Sequence, residues 1–172
     1  NPLEQEGTYP LPEAQLDRFF FKLYVKFPGR DELHAIMNRT TGAQEEEVRA
    51  VLHAERIFSL RALAREVPVA NAVQDFAIRV IQATHADYEK APPITKKYVR
   101  FGSSPRGAQS VLMAAKIRAL LDGRTHVSNA DVKESLKPAL RHRIILNFEG
   151  EAEGVSTDSI LDKIVEATPE KG

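Results

Sequence analysis

Between residues 20 and 27 apolar and polar positions alternate. Phe21, Leu23, Val25 and Phe27 fall on one side, Lys22 and Lys26 on the other. A period of two predicts a strand with one buried face. A lone strand cannot satisfy its own hydrogen-bond ladder, so this one is expected to belong to a sheet supplied from elsewhere. Ahead of it, Pro2, Gly7, Pro10 and Pro12 mark a loop, and Glu13 to Phe19 reads as a short helix entered at Pro12.

After Pro28-Gly29 the period lengthens to that of helices. Asp31 to Thr41 places Leu33, Ile36 and Met37 inward and ends near Gly42; Glu45 to Glu47 is a polar spacer. His53 to Glu66 carries Ile57, Leu60, Ala64 and, at its edge, Leu63 on one side and stops before Pro68. Asn71 is expected to cap a helix whose Val73, Phe76, Ala77, Val80 and Ile81 follow the i, i+3, i+4, i+7 rule. Ala91-Pro92-Pro93 reads as extended backbone and 94–103 as irregular. Ser104 offers an N-cap hydroxyl and Pro105 suits the first turn of the next helix. That helix buries Ala108, Val111, Leu112, Ala115 and Ala119 and ends at Gly123. Ser128 or Asn129 caps a further helix with Val132, Leu136, Ala139 and Leu140 inward. Asn147 to Gly154 reads as a mobile acidic stretch, and Ser156 to Val165 as a weak last helix. The expected fold is mainly α: a helical bundle behind a short α/β stub with one strand.

The chain has 172 residues, with 24 basic and 24 acidic side chains. This balance gives no electrostatic case for nucleic acid or an anionic membrane. No cysteine is present, which removes disulfides and thiolate chemistry and fits a reducing compartment. The five histidines, at 34, 53, 85, 126 and 142, show no paired ligand spacing. His85 and His142, late in their helices, suit the dipole there. No apolar run approaches the ~20 residues of a membrane span. The start, Asn1-Pro2-Leu3-Glu4, has neither the basic nor the apolar region of a signal peptide, and the chain is expected to be part of a longer protein. Asp17, His34 and Ser59 do not assemble a nucleophile with a base at any useful spacing, which disfavours a hydrolase.

Two short stretches carry candidate chemistry. In Leu16-Asp17-Arg18-Phe19, Leu16 and Phe19 share a helix face, which turns Asp17 and Arg18 away from the core. The pair is then either a solvated charge pair or an arginine finger aimed at a neighbouring subunit's phosphate. Arginine suits the second task because it stays protonated and forks onto phosphate oxygens. In Gly102-Ser-Ser-Pro-Arg-Gly107, Arg106 sits in the first turn of a helix whose free N–H groups favour anions. A capping turn with an exposed arginine is the plainer reading of that motif.

The run NPLEQEGTYPLPEAQLDRF, residues 1–19, closely resembles the MoxR-type AAA+ ATPases. GSSPRGAQSVLMAAKIRALLDGR at 102–124 is similar to that family's sensor-2 helix, and VSNADVKESLKPALRHRIILNFE at 127–149 to its last lid helix and tail. The resemblance implies the end of an ATPase core at 1–28, a helical lid at 29–146 and a tail at 147–172. It implies that Asn1 is sensor 1, Arg18 an arginine finger acting in trans and Arg106 sensor 2, serving either its own or a neighbour's nucleotide. It further implies a cytoplasmic ring, a hexamer, that uses ATP and Mg²⁺ to mature or activate partner proteins, among them von Willebrand factor A domain proteins. The chain departs from the family by lacking the phosphate-binding G-x-x-x-x-G-K-[ST] loop and an apolar run ending in Asp-Glu. Alone it is expected neither to hydrolyse ATP nor to bind it tightly. The competing readings are an autonomous helical interaction module and the lid of another AAA+ clade, such as a chelatase-like motor.

Overall fold

The computed structural model describes residues 11–42 and 48–170. Asn1, the loop prolines Pro2 and Pro10, Gly7, and the Glu45–Glu47 spacer lie outside them. In chain order the elements are α1 (Glu13–Leu16), α2 (Arg30–Thr40), α3 (Ala54–Glu66), α4 (Asn71–Gln82), α5 (Pro93–Tyr98), β1 (Val99–Phe101), α6 (Pro105–Leu121), α7 (Asn129–Leu140), β2 (Ile145–Leu146), α8 (Phe148–Ala152) and α9 (Thr157–Ala167). The mainly helical expectation holds. The chain divides into two compact units, Asn1–Lys22 with Leu63–Gly172, and Leu23–Ala62. Among the described residues no helix is long and apolar enough to cross a membrane.

The larger unit is built on α6 against α7, its most extensive helix pair. Small residues on α6 (Ala114, Ala115 and Ala119) let Leu136, Ala139 and Leu140 of α7 approach, while Phe76 and Val80 of α4 fill the space beside them. All of these are essentially buried. Ser104 caps α6, its Oγ accepting from the Arg106 N–H (3.2 Å), and Pro105 occupies the first turn as its fixed φ allows. Gly123, at φ 70°, ends the helix in the left-handed region. Ser128 caps α7 in a capping box with Asp131. Asp131 is buried, and Arg124 grips both its oxygens at 2.6 and 2.7 Å. At α4 the cap is Ala70, not Asn71, which takes the first helical position.

Three further expectations change. Phe20 to Phe27 forms no strand, because no strand lies beside it among the described residues to close a ladder. Lys22 instead donates its N–H to the Pro138 carbonyl (2.9 Å). The first strand of the sheet lies in the stretch 94–103 expected to be irregular. There β1 pairs antiparallel with β2, Val99 opposite Leu146 and Phe101 opposite Ile145, with a register irregularity between them. The two prolines at 92 and 93 start α5 rather than breaking the chain, since Pro93 occupies a position whose N–H a helix does not use.

The acidic stretch after Asn147 is helix α8. Asn147 caps it through the Gly150 N–H (2.9 Å), and Gly150 is buried against Tyr98. α9 is far from weak: Ile160, Leu161 and Ile164 are core residues spaced for a single face.

The smaller unit is different. No residue of α2 is buried, and Leu23, Val25, Phe27, Ile36 and Met37 are exposed. The inward placement expected for Ile36 and Met37 therefore fails within this chain.

Candidate functional site: an arginine cluster around Asp17

The site grows from the turn that follows α1. The Pro12 carbonyl accepts from Gln15 and Leu16, which starts a helix only four residues long. Arg18 N–H then donates to Gln15 O and Phe19 N–H to Leu16 O, both at 3.1 Å, which tightens the chain into a turn. Phe19 is 54% exposed, so it does not share a buried face with Leu16.

Asp17 is not the solvated half of a charge pair. Its carboxylate accepts from the Ser104 hydroxyl (2.9 and 3.0 Å), from Arg106 Nη1 (2.9 Å) and from Arg143 Nε (3.1 Å). Burial alone would raise its pKa. The hydrogen bonds from Ser104, Arg106 and Arg143 outweigh that and hold the carboxyl below its ordinary value. Ser104 thus links two roles: it caps α6 and ties that helix's first turn to Asp17.

Arg143 was not singled out by the sequence. It follows α7 in the run Arg141-His142-Arg143, where basic residues are ordinary partners for a helix C-terminus. Its side chain is 1% exposed. Beyond Asp17 Oδ1 it donates to the backbone carbonyls of Asp17 (2.9 Å), Phe19 (2.7 Å), Phe20 (3.3 Å) and Ala139, and to Ser110 Oγ (3.2 Å). Burial lowers its pKa and the Asp17 carboxylate raises it, with burial the larger effect. The same run carries two more ties. Arg141 forks onto Asp158 (3.0 and 2.9 Å), and His142 Nε2–H donates to Phe19 O (2.9 Å). His142 lies beyond the last turn of α7, so it serves this turn rather than the helix dipole; burial depresses its pKa. His85 likewise lies past α4, and its Nε2–H donates to Ser103 O (3.0 Å).

The Gly102–Gly107 loop is seated from below. Thr84 Oγ1 accepts the Ser103 N–H (2.9 Å). A side chain at Gly102 would meet Thr84 O at 2.6 Å, and one at Gly107 would collide with Ser103 Oγ and meet Leu140 at 2.9 Å. Gly102 leaves room for the Thr84 backbone, and Gly107 for the side chains of Ser103, Leu140 and Arg143. Arg106, half exposed, projects from the helix start these contacts fix.

Arg18 points elsewhere than its neighbour. It is exposed and, among the described residues, makes no ion pair. It lines an open cleft of about 620 Å³ together with Arg65, Arg106, Lys116 and Arg143. Gln109, Ser110, Phe20, Leu112 and Met113 complete the wall, and no carboxylate lines it among the described residues. Arg18, Arg65, Arg106 and Lys116 give the cleft a cationic rim, a lining that favours an anion, while Arg143 lies buried behind it with its donors already taken. Arg18, Arg65 and Arg106 are its exposed guanidiniums, and such groups suit phosphate oxygens. Among the described residues no group of three His, Cys, Asp or Glu side chains could hold a metal ion. The sequence thus foretold Arg18 and Arg106 as candidates, and the structure brings both to one cleft; Asn1 lies outside the described residues.

Comparison with known proteins fits this architecture. Residues 92–164 match the AAA lid domain, and residues 1–21 match the ATPase family associated with various cellular activities (AAA). Chaperone MoxR1 of Mycobacterium tuberculosis is 34% identical over 180 residues, covering 100% of this chain and 48% of that protein. Protein MoxR of Methylorubrum extorquens is 29% identical, covering 85% of this chain and 46% of its own length. A crystal structure of a candidate ATPase from Cytophaga hutchinsonii superposes with a TM-score of 0.91 at 33% identity, over 98% of this chain and 52% of the other. The chain spans about half the length of the curated relatives it matches. In its lid helices and in the core stretch ahead of them, the chain is similar to the C-terminal half of the MoxR-like AAA+ ATPases.

Proposed function

We propose that this chain is the sensing and triggering part of an ATPase that couples ATP hydrolysis to chaperone-like maturation or activation of partner proteins. Arg18 is its arginine finger, reaching in trans to a nucleotide held by the neighbouring subunit of a cytoplasmic, hexameric ring. Arg106 is sensor 2, and Asn1 takes the sensor-1 position. ATP and Mg²⁺ belong to the full-length protein; von Willebrand factor A domain proteins are the partner class the family points to. Residues 1–28 then end the core, 29–146 form the lid and 147–172 follow it.

The observation that carries this reading is the contrast between two adjacent residues. Asp17 is pinned by three side chains, while Arg18 is exposed, without an ion pair among the described residues, at the mouth of a cationic cleft. An exposed guanidinium on a fixed backbone is what stabilising developing phosphoryl charge requires.

In the full-length ATPase, Arg18→Ala is expected to lower kcat by about 10³-fold, the lower end for arginine fingers, while ATP affinity stays within about twofold. Steady-state hydrolysis with a nucleotide-binding titration measures both. Turnover that survives the substitution removes the finger assignment. It would leave the interaction-module reading, which the exposed apolar side chains of residues 23–62 favour.

A further inference from the structure

We propose that Arg143 is a positioning residue that aims Arg18, joining the lid helices to the finger; this rests on Arg18 acting as that finger. Arginine carries five N–H donors and no acceptor. Here all five have acceptors. Nε faces Asp17 Oδ1, Nη1 faces the Phe20 and Ala139 carbonyls, and Nη2 faces the Asp17 and Phe19 carbonyls and Ser110 Oγ. Nothing remains for a ligand, and the side chain is 1% exposed. Its work is therefore internal.

The choice of acceptors is informative. The Asp17 carbonyl belongs to the peptide just before Arg18, and the Phe19 carbonyl to the peptide just after Phe19. One guanidinium group holds the backbone on both sides of Arg18. His142 adds a second donor to Phe19 O. The Ala139 carbonyl and Ser110 Oγ anchor the same guanidinium to α7 and α6. Arg106, at the head of α6, meets the same Asp17 carboxylate from the other side. A displacement of α6 and α7 therefore reaches the Arg18 backbone through one side chain. A lysine could keep the charge but, as a compact ammonium, not the planar fork that spans these carbonyls.

The test is a double-mutant cycle in the full-length ATPase with Arg18→Ala, Arg143→Gln and the pair. Arg143→Gln is expected to lower kcat by about 10- to 100-fold, the scale of a misplaced catalytic group, with the KM for ATP within about twofold. Added to Arg18→Ala it should lower turnover no further, because a finger already removed cannot be misaimed. Arg143→Lys should fall between wild type and Arg143→Gln. If Arg143→Gln does not fold, Arg143→Lys carries the same cycle. Unchanged turnover in a folded Arg143 variant, or full additivity with Arg18→Ala, overturns the positioning role. Unchanged turnover in Arg18→Ala overturns the finger reading instead, so the two failures are distinguishable.

Discussion

The two compact units use similar apolar residues to opposite effect. In the larger one, Phe76, Val80, Leu136, Leu140, Ile160 and Ile164 are buried completely. In residues 23–62, Val25 is 94% exposed, Phe27 85% and Phe58 62%. Composition does not separate them; what differs is whether the chain supplies a second layer. α6 and α7 face each other and are sealed by α4 and α9, whereas α2 has no packed face of its own. A helix stripe stabilises a fold only when something covers it.

Three experiments probe that contrast in this chain. The largest effect is expected at Phe76→Ala, which empties a site at 0% exposure and should cost about 3–5 kcal/mol of unfolding free energy. Chemical denaturation followed by circular dichroism reads it; a loss below about 1 kcal/mol would mean the core is looser than its burial implies.

Acid should act next. The Arg124 hydrogen bonds hold the Asp131 carboxyl well below the ordinary range, more than offsetting its burial, and Asp17 is also lowered. Groups with depressed folded pKa values contribute stability that is present above the unfolded value and lost as pH falls through the folded one. The larger unit should therefore melt at progressively lower temperature below about pH 4. Asp131→Asn should flatten that dependence, and an unchanged pH profile would contradict the Arg124 pairing.

The smallest effect is expected at Phe27→Ser, about 0.5 kcal/mol or less in this chain, because the ring is already in water. The same change in the full-length protein should cost more if further chain covers that face. Equal effects in both would leave the apolar side chains of 23–62 as a surface for another partner.

Most of the larger fold was legible in the sequence because its signals are local. Ser104, Gly123 and Ser128 punctuate helices by their own backbone chemistry, and the stripes on α4 and α7 follow the helical period. The strand at 20–27 was misread for the converse reason: alternation reports a face, not a partner, and a strand exists only with one. α5 was hidden by Pro92-Pro93, whose meaning depends on which side of the helix start they fall. The site was half visible. Arg18 and Arg106 stand in recognisable motifs, but Arg143 lies 126 residues from Asp17, and no local pattern announces a contact made over that distance. Asp17 was read as solvent-facing because a helix face was assumed to continue through Phe19, where α1 has already ended.

The hydrogen atom at Gly107 has a reach beyond its own position. A methyl group there would press on Ser103, on Leu140 of α7 and on the Arg143 stem, whose Cδ would lie 3.1 Å away. Arg106 is its immediate neighbour in the chain. The seat of the Arg143 stem against the head of α6 thus depends on the absence of a single carbon. Gly107→Ala would act as a wedge against Ser103, Leu140 and the Arg143 stem, disturbing that arginine without altering it.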